Sequence, residues 1–146
     1  LIPFPNQFPA LPPPLKEGDE ALKLGTLRVV RPENAEAASL DGRRHMLFFW
    51  ATWCAPCKAA VPEILVWSAK TGAPILAISD EDDETIRKFL DSWKLPFPER
   101  VVSDELRQAY LGYGVSGTPT FILVDANGKI EWRHTGYSAK DRLAIP

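Results

Sequence analysis

The stretch FFWATWCAPCKAAVPEI, residues 48–64, decides how this chain is read. Its first part belongs to MLFFWA, an uninterrupted apolar run rich in aromatics. A run of that length and composition predicts a strand buried on both faces. Its last part, KAAVPEI, opens a segment of helix-forming composition that continues to Lys70, with Val61, Ile64, Leu65 and Ser68 at helical spacing. Between them lie the only two cysteines of the chain, Cys54 and Cys57, separated by Ala55 and Pro56. The pair therefore sits where a strand hands over to a helix.

That position has a chemical use. Unpaired backbone N–H groups and the dipole at a helix start favour an anion. A thiol held there loses its proton more readily and becomes a better nucleophile. Cys57, one turn further on and expected to be the more buried of the two, is placed to attack a mixed disulfide formed on Cys54. Pro56 falls within the first turn, where a missing N–H costs little. Lys58 adds positive charge nearby. The other readings of a two-cysteine motif are weaker. A structural bridge across so short a ring removes little chain entropy. Structural zinc needs four ligands, and the other soft candidates, His45 and His134, have no pairing spacing between them. A dithiol can hold copper(I), which leaves a metallochaperone or a redox-inactive interaction domain as the alternative function.

Outward from the motif, residues 24–30 have β character and suit an edge strand or hairpin. Pro62 is expected to kink the first helix and Gly72 to stop it. Residues 74–79, PILAIS, read as a second buried strand. Asp80, Asp82 and Asp83 then supply caps and negative charge for a second helix. On it, Ile86, Phe89, Leu90 and Trp93 form one apolar face. Residues 101–103 predict a short strand. Asp104 suits the cap of a third helix running to about Leu111, with Gly112 as its stop. Residues 120–124 and 129–134 predict two strands joined through Asp125-Ala126-Asn127-Gly128, a hairpin signal. Alternation followed by a hairpin makes the chain an α/β protein, with a mixed sheet and helices on both faces.

The whole sequence has 146 residues, suited to a single core, with a net charge of -2 that gives nucleic acid no basic surface. No apolar run approaches the roughly 18 to 20 residues of a membrane span. Six of the first fourteen residues are proline. Residues 1–23 read as an extended arm or tether, or as a segment lying along the surface of the domain formed by 24–146. The first residue is Leu rather than Met, as expected where a signal or anchor has been removed or where the sequence has been trimmed experimentally.

With these residues in hand, the chain resembles the thioredoxin-like fold, and within it the TlpA/ResA-type thiol:disulfide oxidoreductases. The quoted stretch matches their strand, active site and helix. Residues 114–130, GVSGTPTFILVDANGKI, match their Thr-Pro loop, strand and hairpin. LAISDEDDETIRKFL matches the strand and helix of the insertion that marks the branch. The resemblance implies that Cys54 attacks and Cys57 resolves. It implies that Pro119 is a cis-proline facing them and that the backbone of Thr118 pairs with an extended substrate peptide. Trp53 would flank the site with Ala55 and Pro56, while Trp50 reads as core. It further implies protein thiols or disulfides as substrates, an upstream electron-donating redox protein, a reducing direction, an extracytoplasmic location, and neither cofactor nor metal.

Two departures stand out. Thioredoxin carries a buried Asp six residues before its first active-site cysteine, and here Phe48 stands there. ResA-like proteins carry a Glu three residues after the second cysteine, and here it is Ala60. Without either acid, deprotonation of Cys57 falls to water or to the departing substrate thiolate, and resolution is expected to speed up as pH rises. The chain also has Gly-Thr-Pro-Thr where the members devoted to cytochrome c maturation carry an Ala-Pro-Glu type loop.

Overall fold

Six strands and three helices follow the predicted order, as seen in a computed structural model that describes residues 13–33 and 40–146. The strands are β1 (Arg28–Arg31), β2 (His45–Phe49), β3 (Ile75–Ser79), β4 (Arg100–Ser103), β5 (Thr120–Val124) and β6 (Ile130–Thr135). They lie side by side as β1-β4-β3-β2-β5-β6. β2, β3 and β4 run parallel, β1 and β5 run antiparallel to them, and β6, antiparallel to β5, runs in the direction of β2. The helices are α1 (Ala55–Thr71), α2 (Asp83–Ser92) and α3 (Gln108–Gly112).

The period of two along each strand sorts the core into two layers. Met46 and Phe48 of β2, Ala77 of β3, Val101 of β4 and Phe121 of β5 face one layer, which also holds Cys54, Cys57 and the buried side of α1. Ile86 of α2 joins it. Leu47, Phe49, Leu76, Ile78, Val102 and Ile122 face the other, covered by Tyr110 and by Tyr113, the residue after α3. Burial on both sides explains why these strands read as continuous apolar runs.

Several local expectations need correction. The buried stripe of α1 is Cys57, Ala60, Val61, Ile64 and Trp67, so Leu65 and Ser68 lie at its margin. As expected, the helix holds Pro62 in its interior and ends on Gly72, whose φ of 75° is the left-handed cap. Asp82 is the N-cap of α2 but caps no amide, because its carboxylate takes the Thr85 hydroxyl instead. Asp80 is no cap either and pairs with Arg107 at 3.1 Å. Gly112 is the last residue of α3, as expected, and the left-handed glycine is Gly114, two residues further on, φ 65°. A Cβ there would sit 2.8 Å from Pro14, so this glycine also lets the arm approach.

Residues 1–12 of the proline-rich segment lie outside the described residues. From Pro14 the chain lies on the α3 layer. Arg133 donates to the Leu15 carbonyl at 3.0 Å, Gly18 and Ala21 donate to the carbonyls of Ile130 and Gly128, and Leu22 N–H donates to the Tyr113 hydroxyl at 2.9 Å. Among the described residues, no helix is long and apolar enough to cross a membrane.

Asp104 is 1% exposed, and burial pushes its carboxyl above the usual range. One oxygen accepts from Tyr110 N–H at 2.9 Å, and the other has no hydrogen-bond partner. A raised folded value means the native state holds the proton to higher pH than the unfolded chain does. The group's contribution is therefore fullest below the unfolded value of about 3.9 and is lost as pH rises through the folded one. Asp104→Asn keeps an acceptor for Tyr110 N–H and buries no charge. It is expected to unfold at higher urea than the parent at pH 7, with the gap closing toward pH 4. Equal gaps at both pH values would refute this assignment.

Candidate redox site

The motif leaves the sheet at one end. β2, β3 and β4 are parallel, so the loops that follow them leave from the same edge, where α/β sheets carry their sites. Thr120, the first residue of β5, pairs with Phe49, the last of β2. Thr118 and Pro119 thus precede β5 where the motif departs from β2. The Thr118–Pro119 bond is cis, and the Pro119 carbonyl accepts from Gly136 N–H at 2.8 Å. Pro119 is buried, and the Thr118 hydroxyl is buried without a hydrogen-bond partner.

Cys54 is the N-cap of α1. It has extended backbone, and its Sγ accepts from Cys57 N–H at 3.2 Å. The sulfur does what a Ser or Asp oxygen does at other helix starts: it satisfies one of the orphan amides. Ala55 and Pro56 fill the first two helical positions and are exposed. Cys54 and Cys57 are joined in a disulfide with Cα atoms 5.3 Å apart, within the ordinary range. Their exposures are 2% and 1%, so the expected difference in burial is absent in this oxidised pair. Trp53 stands out at 75% exposure beside them, whereas Trp50 is fully buried and packs on Phe97 and Phe89 at 4.7 and 5.1 Å.

The first turn of α1 holds no acid. Lys58 Nζ lies 5.3 Å from the Phe89 ring centre and 5.8 Å from that of Trp93, so these two rings hold the cation. Phe48 and Ala60 are fully buried in the same layer as both cysteines, and the Phe48 ring stacks on Phe121 at 5.6 Å. Glu63 accepts from Leu143 N–H, and Asp80 is paired with Arg107. Asp104, the one buried carboxylate among the described residues, bonds Tyr110 in the opposite layer.

Two contributors were missed by sequence reasoning. The Tyr110 hydroxyl meets the carbonyls of Trp50 and Ile78 at 2.8 and 3.1 Å, tying together the ends of β2 and β3 where the site begins. Burial holds its phenol far above the ordinary range. Glu81 reaches from the end of β3 to Thr52, two residues before Cys54. Nothing local in the sequence marks either contact.

The model of the redoxin family matches residues 16–144. A thiol-disulfide oxidoreductase ResA of Geobacillus thermodenitrificans is 35% identical over 120 residues, which cover 73% of this chain and 68% of that protein. A ResA of Halalkalibacterium halodurans is 33% identical over 125 residues, covering 83% and 69%. In the ResA of Bacillus anthracis the match covers 64% of the relative, so the chain spans about two thirds of the length of these proteins. Among solved structures, a thiol:disulfide interchange protein DsbE from Chlorobium tepidum has a TM-score of 0.70 at 28% identity, covering 86% of this chain and 89% of that one. A six-stranded mixed sheet of thioredoxin-like order, a Cys54–Cys57 pair bonded at a helix start and these similarities agree: the chain belongs to the redoxin family as a ResA-type thiol-disulfide oxidoreductase with a redox dithiol.

Proposed function

We propose that this protein reduces disulfides of partner proteins outside the cytoplasm, with Cys54 as the attacking thiol and Cys57 as the resolving thiol. The observation that carries the assignment is the capping geometry: Cys54 Sγ occupies the N-cap of α1 and accepts the Cys57 amide. The helix terminus and Lys58 favour a thiolate there.

In the first step the Cys54 thiolate attacks one sulfur of the substrate disulfide. A mixed disulfide forms, and the other substrate sulfur leaves as a thiolate. Cys57 then gives its proton to water or to that thiolate and attacks Cys54 Sγ. The Cys54–Cys57 disulfide forms, and the substrate departs as a dithiol, two electrons richer. An upstream dithiol protein returns the electrons. Thr118 would pair its backbone with the substrate chain across the Pro119 loop, as in strand addition. Trp53, Ala55 and Pro56 would supply the exposed surface that the substrate meets. The extracytoplasmic location and the reducing direction rest on the resemblance to the ResA branch.

A redox titration against glutathione tests the direction. The expected result is one two-electron transition near the thioredoxin value of about −270 mV, and a value near about −120 mV would make the protein an oxidant instead. Because no buried acid among the described residues serves Cys57, the rate of mixed-disulfide resolution is expected to rise from about pH 6 to 9. A flat profile would mean that another base serves it.

A further inference from the structure

Glu81 stands outside the chemistry just described, yet it is the most heavily engaged carboxylate at this end of the sheet. One oxygen accepts from Thr52 N–H at 2.8 Å and from the Ser79 hydroxyl at 2.7 Å, and the other accepts from the Thr52 hydroxyl at 2.6 Å. Its own backbone is fixed at both ends. Glu81 N–H donates to Ser79 Oγ at 3.1 Å, and its carbonyl accepts from Ser103 Oγ at 2.6 Å. The ends of β3 and β4 therefore hold Glu81, and Glu81 holds Thr52. Bonds to an ionised acceptor are stronger than neutral ones, which suits a clamp.

Thr52 lies inside a tight turn closed by Cys54 N–H donating to the Ala51 carbonyl at 3.1 Å. This turn ends on the helix cap, and it carries the exposed Trp53. We propose that Glu81 is a positioning residue of the redox site: by clamping Thr52 it fixes the 51–54 turn, and with it the seat of Cys54 Sγ over the Cys57 amide. The proposal rests on the reading of Cys54 as the attacking thiol. It adds a residue that touches neither sulfur.

Two substitutions separate the clamp from its charge. Glu81→Gln keeps the length and one acceptor oxygen for Thr52 N–H and Ser79, and its amide group faces the Thr52 hydroxyl as a donor. Glu81→Ala removes the clamp. Both lose the charge, so a difference between them reports the hold on the turn.

The experiment uses the full chain and measures two things. One is the second-order rate constant for reduction of a model protein disulfide, such as that of insulin. The other is the apparent pKa of Cys54 from the pH profile of its alkylation by iodoacetamide. Displacement of a reacting group by about 1 Å costs on the order of 100-fold. The Ala variant is expected to lose roughly ten- to a hundredfold in rate, while the Gln variant stays within about threefold of the parent. The Cys54 profile should also lie at higher pH in the Ala variant than in the Gln variant, because the loosened sulfur loses the helix amide. Where the Ala variant does not fold, Thr52→Val carries the test. It removes the hydroxyl partner and should slow reduction in the same direction, by less. Parent-like rates and coincident alkylation profiles in these variants overturn the proposal. An active parent with indifferent variants overturns this inference alone, and a parent that reduces no disulfide overturns the dithiol-reductant reading with it.

Discussion

Cys54→Ser is expected to lose disulfide reduction by on the order of 10⁴-fold or more, the scale on which removal of a nucleophile acts. A serine hydroxyl is not ionised near neutral pH, and oxygen cannot supply the sulfur-centred electron pair that opens a disulfide. Cys57→Ser has a different outcome. The first attack still proceeds, because Cys54 keeps its place at the head of α1. The reaction then halts at the mixed disulfide, since nothing remains to attack Cys54 Sγ. The substrate is caught as a covalent adduct that resists non-reducing electrophoresis and falls apart in dithiothreitol. Capture by the Cys54→Ser variant instead would reverse the two roles. The adduct also identifies the protein that receives the electrons.

The second large effect concerns Phe48, the residue at the position of thioredoxin's acid. Its side chain is fully buried, stacks on Phe121, and lies 6.5 Å from the ring of Phe97. Phe48→Ala opens a cavity in the layer that holds both cysteines. Such a truncation costs about 3–5 kcal/mol, or roughly 10–20 °C in melting temperature for a domain of this size. Thermal unfolding of the oxidised protein measures it. A loss below about 1 kcal/mol would mean that the layer collapses around the gap and that Phe48 is no keystone of it.

How far the sequence alone carried these conclusions depends on what each residue touches. β2, β3 and β5 were legible because strands buried on both faces have to be apolar throughout. Both ends of α1 were legible because Cys54 and Pro56 at its start and Gly72 at its end are local signals. The end of α3 at Gly112 was legible, but the left-handed turn at Gly114 was not, since Pro14 approaches it from far along the chain. Glu81 was hidden inside SDEDDE, a run that reads as helix-capping acid. Its actual partner, Thr52, lies across two strand ends. Tyr110 likewise bonds carbonyls, which leave no trace in residue identity.

Residues 14–22 run along the layer that includes α3, bound to Arg133 and to the hydroxyl of Tyr113. The sulfur pair lies in the layer beneath α1. The sheet is thus a partition: residues 14–22 pack on one of its faces and the sulfur pair lies in the layer on the other.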